Sequence, residues 1–225
     1  MPIEDYYSII RDEIKNYFVI QSKKPFWQEM LKGTLSDEVY TYWVKVDYVY
    51  LVNFSKILAL GISKGETLEE MKIMNDYLNW ILNEEMMIHI EHAKKIGISE
   101  TELFNCEMGP IKYSYTRHEN NCANAGDLGI LLSGILACIV GWPIVANILL
   151  EGQEISDDNK YKDWLNMYAE DKVLQEHTDK ILRIFNSYAS NGNREYRNIL
   201  KKNFFTGVKY ETMCWDAYYK MEEWI

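Results

Sequence analysis

Residues that interrupt or cross-link a fold are scarce in this sequence. It has 4 prolines and 4 cysteines among 225 residues, and no segment rich in proline, glycine or serine divides it. No two cysteines form the CxxC pair that is typical of zinc ribbons and thioredoxin-type sites. We therefore expect a single domain over residues 1–225. We also expect reduced thiols and a cytoplasmic location, because the first 20 residues carry several charges and lack the apolar core of a secretory signal.

Basic clusters are missing as well. The chain has 24 Lys and Arg against 34 Asp and Glu, which gives a formal net charge of −10. Its basic runs are no longer than pairs such as Lys23-Lys24 and Lys201-Lys202. A protein that holds nucleic acid presents a basic face to the phosphates. We therefore expect no direct binding of nucleic acid.

Alternation of apolar and polar residues, the pattern of half-buried strands, is not sustained in any segment. Apolar residues instead recur at three- and four-residue steps, which predicts an all-α fold. Ser36 and Thr67 are predicted helix N-caps, and Thr67 forms a capping box with Glu70. The predicted helices cover residues 3–19, 26–31, 36–61, 67–96, 99–104, 113–121, 128–150, 161–188 and 194–225.

The segment at 128–150, LGILLSGILACIVGWPIVANILL, contains no charged residue. Its length fits a membrane-spanning helix, but acidic residues flank it at Asp127 and Glu151, and no Lys/Arg asymmetry orients it. Every other predicted helix is amphipathic and needs an apolar partner to cover. We therefore predict the buried central helix of a bundle and no membrane insertion. Pro143 is expected to kink or break this helix about one turn after Cys138.

Two side chains, Cys138 and Asp47, are not explained by the hydrophobic pattern. A cysteine on a buried helix is usually an inert small residue, and it becomes reactive only with a lowered pKa or a polar network nearby. Asp47 shares a helix face with Trp43, Tyr50 and Phe54. A carboxylate in such surroundings is either a structural ion-pair partner or part of a site. Spacing alone leaves both alternatives open for both residues.

A third pattern places Glu85, His89 and His92 on one helix face. Helical bundles build di-iron sites from glutamate and histidine, but they use paired Glu-x-x-His motifs and carboxylates from two further helices. No Glu-x-x-His occurs on a predicted helix. We therefore predict no metal site and no cofactor, with a metal-dependent oxidase that uses His89 and His92 as a less favoured alternative.

Five segments together resemble the TenA (thiaminase II) family, in order and spacing, over nearly the whole chain. They are YWVKVDYVYL at 42–51, PIKYSYT at 110–116, LAC at 136–138, YKDW at 161–164 with Tyr168, and YETMCW at 210–215. The resemblance implies a haem-oxygenase-like helical bundle that assembles as a homotetramer, with a pyrimidine pocket in each subunit. The implied activity is that of an aminopyrimidine aminohydrolase. Such an enzyme cleaves the bond between the pyrimidine methylene and its leaving group, and so supplies hydroxymethylpyrimidine for thiamin salvage.

The family's chemistry, carried over by position, assigns roles to three residues. Cys138 is the implied nucleophile, which adds to the pyrimidine ring. Glu211 is the implied proton donor to the leaving group, and Asp47 is implied to bind the ring nitrogen and the exocyclic amine. The implied substrate is thiamin or its degradation product 4-amino-5-aminomethyl-2-methylpyrimidine.

Four aromatic residues complete the implied pocket. Tyr50 and Tyr115 are implied to hydrogen-bond and activate the thiol, while Tyr168 and Trp142 are implied to line the ring site. The sequence departs from the family at two positions: Trp142 stands where a tyrosine is usual, and Cys214 stands where an aromatic residue is common. A non-catalytic regulatory protein is the alternative function, because relatives of this family have been labelled transcriptional activators.

Overall fold

The computed structural model describes residues 5–225, and within that range it contains helices and no strand. The all-α prediction is confirmed; residues 3 and 4 of the first predicted helix lie outside the described range. In chain order the helices are α1 (Tyr6–Ser22), α2 (Pro25–Lys32), α3 (Asp37–Lys64), α4 (Leu68–Trp80), a π-helical turn (Ile81–Glu85), α5 (Met86–Lys95), α6 (Glu100–Phe104), α7 (Pro110–Ala125), α8 (Leu128–Leu150), α9 (Lys162–Glu170), α10 (Lys172–Asn191) and α11 (Arg194–Tyr219).

Side-chain caps set several of these boundaries. Ser36 accepts a hydrogen bond from the Val39 backbone at the start of α3, and Thr67 and Glu70 form the predicted capping box before α4. The single helix predicted over 161–188 is wrong. Asp171 has an extended backbone there and caps the first turn of α10, so the segment divides into α9 and α10.

Helix α8 lies at the centre of the protein, as predicted. It packs against α7, α11, α9, α1 and α10. Two helices, α3 and α8, are long and apolar enough to cross a membrane, and 78% of the most apolar part of α8 is buried inside the fold. Small residues allow the close approach of α11, since a Cβ on Gly207 would lie 2.9 Å from the Ala137 Cβ. Neighbouring helices therefore cover the apolar surface of α8.

The predicted break at Pro143 is wrong. Helix α8 continues through Pro143 to Leu150, with the proline inside the helix. Proline removes one backbone hydrogen bond and crowds the preceding turn. Residues on both sides of it, including Trp142 and Val145, are buried in the core. Tertiary packing of these side chains outweighs the local cost of the proline.

One π-helical turn interrupts the helix predicted over 67–96. It covers Ile81–Glu85 between α4 and α5. Such turns have hydrogen bonds that are one residue wider than those of an α-helix, and they recur at functional sites. The wider turn rotates the following side chains, and Glu85, its last residue, is buried.

Candidate active site

A small cavity of about 20 Å³ lies beside Cys138, between α3, α4, the π-helical turn, α8, α9 and α10. This volume holds about one water molecule, so a larger ligand enters only when side chains move. The residues that line it are Asp47, Tyr50, Leu51, Phe54, Tyr77, Ile81, Glu85, Cys138, Ile139, Trp142, Pro143, Tyr168 and Leu174. Of the residues singled out by the family resemblance, only Tyr115 and Glu211 are missing from the wall.

The Cys138 thiol is partly exposed, and its surroundings disfavour the thiolate. Burial raises the pKa of Cys138 well above its ordinary value, and the Glu211 and Glu119 carboxylates raise it further. The Lys112 ammonium and the Tyr50 hydroxyl act in the opposite direction and lower this pKa. A reactive thiolate at Cys138 therefore depends on those two groups, or on a base that removes the proton as the sulfur attacks.

Tyr50 connects the cavity to a buried carboxyl group on α7. Its hydroxyl donates a hydrogen bond of 2.8 Å to Oε1 of Glu119, whose side chain is fully buried. Burial raises the pKa of Glu119 to about 8, while Lys112 lowers it. The Tyr115 ring stacks on the Tyr50 ring with 6.0 Å between centroids. Glu119 was not predicted as a site residue.

Four buried oxygens in this region have no hydrogen-bond partner among residues 5–225: the Tyr115 and Tyr218 hydroxyls, Oε2 of Glu119 and Oε1 of Glu211. Burial also raises the pKa of Glu211, and Lys112 opposes this shift. Unpaired buried polar groups are costly in a folded protein. A ligand whose polar groups form hydrogen bonds with these oxygens would therefore gain binding free energy here.

Lys112 carries a buried ammonium group and is only 3% exposed. Its Nζ lies 3.3 Å from the centre of the Tyr50 ring and 3.8 Å from Oδ1 of Asp47. The Tyr115 and Tyr218 rings complete an aromatic cage at 5.3 Å and 5.6 Å. Burial lowers the pKa of Lys112. Nearby carboxylates, of which Glu211 has the largest effect, outweigh burial, so the net shift of this pKa is upward. The site therefore contains a permanent positive charge that was not predicted.

His89 and Asp47 share a proton. Nδ1 of His89 lies 2.9 Å from the Glu85 carbonyl oxygen, which only accepts, so Nδ1 donates. Nε2 of His89 lies 3.0 Å from Oδ2 of Asp47, and two acceptors cannot face each other at that distance. A second proton therefore lies between them. Burial lowers the pKa of His89, but the Asp47 carboxylate outweighs it and the net shift is upward. The pair is best described as an imidazolium beside a carboxylate.

Glu85 forms a second tyrosine–glutamate pair. The Tyr168 hydroxyl donates a 3.0 Å hydrogen bond to Oε1 of Glu85. Burial raises the pKa of Glu85 to about 7, the nearby His89 lowers it, and Asp47 raises it. Glu85 was not predicted as a site residue, and no sequence signal marks the π-helical turn that buries it next to the cavity.

His92, the third residue of the Glu85, His89 and His92 pattern, does not line the cavity. Nδ1 of His92 lies 2.7 Å from the Tyr40 hydroxyl. No group of three or more His, Cys, Asp or Glu side chains has the arrangement of a metal site in the part of the chain that the structure describes. The side chains of Glu85, His89 and His92 therefore do not converge on one point.

The two departures from the family pattern have different surroundings. Trp142 is packed between aromatic rings, with centroid distances of 4.5 Å to Tyr168 and 4.7 Å to Trp215. Its indole narrows the cavity and leaves no hydroxyl at this position. Cys214 is fully buried outside the cavity wall, and burial raises its pKa. Cys138, which lines the cavity, is therefore the better placed of the two thiols to meet a ligand there.

Comparison with known proteins agrees with this architecture. An aminopyrimidine aminohydrolase from Halalkalibacterium halodurans is 30% identical over 200 residues, which is 89% of each chain. The structure of a TenA homologue from P. horikoshii OT3 superposes with a TM-score of 0.87 at 19% identity and covers 96% of this chain and 99% of that one.

A domain of unknown function with a heme oxygenase-like fold, from Shewanella denitrificans OS217, superposes with a TM-score of 0.74 at 13% identity. It covers 97% of this chain and 93% of that one, which confirms the predicted haem-oxygenase-like bundle. Residues 11–221 match the sequence profile of the TENA/THI-4/PQQC family. Nearly the whole of the described chain therefore carries the family's pattern, and the protein belongs to the TENA/THI-4/PQQC family.

Proposed function

We propose that the chain is an aminopyrimidine aminohydrolase, or thiaminase II, that acts in thiamin salvage. The observation that carries the proposal is the position of Cys138 in the wall of a cavity that it shares with the Asp47 carboxylate and aromatic rings. A relative that is 30% identical over 89% of each chain bears the same functional name. The substrate is thiamin or 4-amino-5-aminomethyl-2-methylpyrimidine, and the product is hydroxymethylpyrimidine.

The proposed reaction begins when the Cys138 sulfur adds to a carbon of the pyrimidine ring. Addition interrupts the aromaticity of the ring, and the electrons then expel the leaving group from the methylene. When the leaving group is the amine of the aminomethyl substrate, Glu211 donates its proton to the nitrogen, which suits a carboxyl group whose pKa is raised by burial. Water adds to the methylene and returns a proton to Glu211. Loss of the sulfur then restores the aromatic ring.

Recognition of the pyrimidine is assigned to the cavity wall. Asp47 accepts hydrogen bonds from the exocyclic amine and a protonated ring nitrogen. It is suited to this because its two oxygens lie beside the cationic side chains of His89 and Lys112, at 3.0 Å and 3.8 Å. The rings of Trp142 and Tyr168 enclose the flat substrate. Tyr50 and Tyr115 orient the thiol. We also propose a cytoplasmic homotetramer, on the family resemblance alone.

The test is turnover of both substrates by the wild-type protein and by Cys138→Ser. We expect wild type to release hydroxymethylpyrimidine from at least one of them. Loss of a nucleophile should lower kcat/KM by about 10³-fold or more. Cys106→Ser is the control, because Cys106 lies outside the cavity wall. Wild type that turns over neither substrate, indistinguishable from Cys138→Ser, would refute the proposal.

A further inference from the structure

The buried carboxyl group of Glu119 has no role in the proposed reaction. It is fully buried, at 0% exposure, and its Oε2 has no hydrogen-bond partner among the described residues. A carboxyl group in this position costs free energy, because burial opposes its ionisation. Such a cost is common where a group serves as an acid or a base.

The geometry links Glu119 to the thiol through one hydroxyl group. Tyr50 lines the cavity together with Cys138, and its hydroxyl donates to Oε1 of Glu119 at 2.8 Å. The Cys138 side chain lines the same cavity, whose volume is only about 20 Å³. A nucleophile, a bridging hydroxyl and a carboxylate thus follow one another in space, each on a different helix: α8, α3 and α7.

Several charged or titratable groups face Glu119. Cys138 approaches from α8 and Glu211 from α11, while Lys112, Tyr115 and Cys122 lie on the same helix as Glu119. Burial raises the pKa of Glu119 most, the Lys112 ammonium lowers it, and the Glu211 carboxylate adds a smaller increase. The resulting value of about 8 places the change of charge close to neutral pH, where a base is most useful.

We propose that Glu119 is the base that takes the proton of Cys138, through the hydroxyl group of Tyr50. This role rests on the proposed function, in which the Cys138 sulfur attacks the ring. In the step, the S–H bond breaks and its proton moves to the Tyr50 oxygen, while the Tyr50 proton moves to Oε1 of Glu119. The S–H electron pair stays on sulfur and forms the bond to the ring carbon. The reverse transfer restores all three groups when the sulfur leaves.

The step divides the work between two carboxyl groups. Glu119 must be ionised at the start, whereas Glu211 must be protonated to serve the leaving group. Their surroundings differ: one carboxyl oxygen of Glu119 accepts a hydrogen bond from Tyr50 and the other has no partner, whereas Oε1 of Glu211 has no partner among the described residues. Pairs of titratable groups held in different states are the usual way to run acid and base steps at one pH.

The first measurement follows kcat/KM against pH from 6 to 10. In the wild type we expect a bell-shaped profile, because Glu119, with a pKa of about 8, must lose its proton and Glu211 must keep its own. In Glu119→Gln we expect a loss of about 100-fold at pH 7.5. The rising limb should also move to higher pH, because the variant's rate then follows the thiol alone. Glu119→Gln that keeps the rising limb in place and stays within about twofold of wild type would overturn the proposal.

The second measurement needs no substrate turnover, so it separates this proposal from the proposed function. Cys138 is alkylated with iodoacetamide over the same pH range, and its peptide is quantified by mass spectrometry. We expect an inflection near pH 8 in the wild type and none in Glu119→Gln. Glu85→Gln is the matched control, because Glu85 is another buried carboxyl group bonded to a tyrosine. It should keep the inflection; loss in Glu85→Gln with retention in Glu119→Gln would contradict the proposal.

A third variant guards against misfolding of Glu119→Gln. Tyr50→Phe removes the bridging hydroxyl but keeps the ring beneath the Lys112 ammonium. We expect it to lose the inflection in the alkylation profile as Glu119→Gln does. An unchanged profile in a folded Tyr50→Phe protein would show that no proton passes through this hydroxyl. The wild-type alkylation profile could show the inflection, and both variants could lose it, while neither substrate is turned over. That combination would support the proton path and refute the proposed activity.

Discussion

The two sides of Cys138 carry the same pair of residues in different surroundings. On the thiol side, Tyr50 donates to Glu119 at 2.8 Å; on the cavity side, Tyr168 donates to Glu85 at 3.0 Å. Burial raises the pKa of both carboxyl groups, to about 8 and about 7. A tyrosine–glutamate pair therefore does not by itself determine a function. Any difference in function between the two pairs must come from the residues around them.

Those neighbours differ in charge and in access. The thiol side has the Lys112 ammonium over the Tyr50 ring and a second carboxyl group, Glu211, within its electrostatic reach. The cavity side has the shared proton of His89 and Asp47, and Glu85 lines the cavity itself. The thiol side is thus arranged to move protons, and the cavity side to hold a ligand. Substitutions on the thiol side should therefore change mainly kcat, and substitutions on the cavity side mainly KM.

Among the substitutions that test this contrast, the largest effect is expected for Glu211→Gln on the thiol side. The amide cannot donate a proton to the leaving group as an acid does, so kcat should fall by about 100-fold with KM within about threefold of wild type. The loss should be greatest at low pH, because the wild-type carboxyl group is active only below its raised pKa. Steady-state kinetics with the aminomethyl substrate measure both constants.

Asp216→Asn is the control for that change. Asp216 lies on α11 as well, but it is partly exposed and pairs with Lys24. It should leave kcat and KM near the wild-type values. A Glu211→Gln protein that changes KM alone would place Glu211 with the ligand-binding groups, and the contrast between the two sides would not hold.

A smaller effect is expected for Lys112→Met, which removes the cation from the thiol side. Lys112 lowers the pKa of both Glu119 and Cys138. Without it, the midpoint of the kcat/KM profile should move above pH 8, and kcat/KM at pH 7.5 should fall by about tenfold. Lys112→Arg should recover part of the loss, because it restores the charge in a bulkier group.

The control for lysine removal is Lys45→Met. Lys45 is partly exposed and lies 3.9 Å from Glu102, remote from the cavity wall. Its removal should not move the midpoint. If Lys112→Met also left the midpoint in place, the ammonium would be a structural counter-ion of Asp47 and not part of the thiol side.

The contrast between the two sides also shows what the sequence could predict. The helical period and the caps predicted most helices, because those signals are local. The family resemblance singled out Asp47, Tyr50, Cys138, Trp142 and Tyr168, all of which line the cavity. These positions lie within segments whose order and spacing were recognisable.

Lys112 and Glu119 were missed for a physical reason. Both lie on α7, where a lysine and a glutamate among polar residues are typical of a solvated helix face. They are buried because α3 brings the Tyr50 ring under the ammonium and the Tyr50 hydroxyl to the carboxyl group. Such contacts join residues far apart in sequence, and no local pattern contains them.

Glu85 was missed because of the backbone. In a regular helix Glu85 and His89 share a face, and that pattern suggested metal ligands. Glu85 is the last residue of the π-helical turn. Its carbonyl oxygen lies within hydrogen-bond distance of His89, and its carboxyl group accepts a hydrogen bond from Tyr168. A π turn depends on tertiary packing and leaves no mark in the hydrophobic period.

The smallest effect is expected on the cavity side, for the stability of Glu85→Gln. The pKa of Glu85 is about 7 in the folded protein against an ordinary value of 4.5. The folded state therefore binds more protons, and its stability is lost as pH rises from about 4.5 to above 7, by up to about 3 kcal/mol. Gln cannot ionise, so the melting temperature of Glu85→Gln relative to wild type should be higher at pH 8 than at pH 5, by a few degrees.

Glu102→Gln is the control, because Glu102 is an exposed cap whose pKa is lowered and whose charge does not change between pH 5 and 8. A relative melting temperature of Glu85→Gln that is the same at both pH values would show that Glu85 is not a costly buried charge. The distinction between a cavity side poised for a ligand and an ordinary packed wall would then be lost.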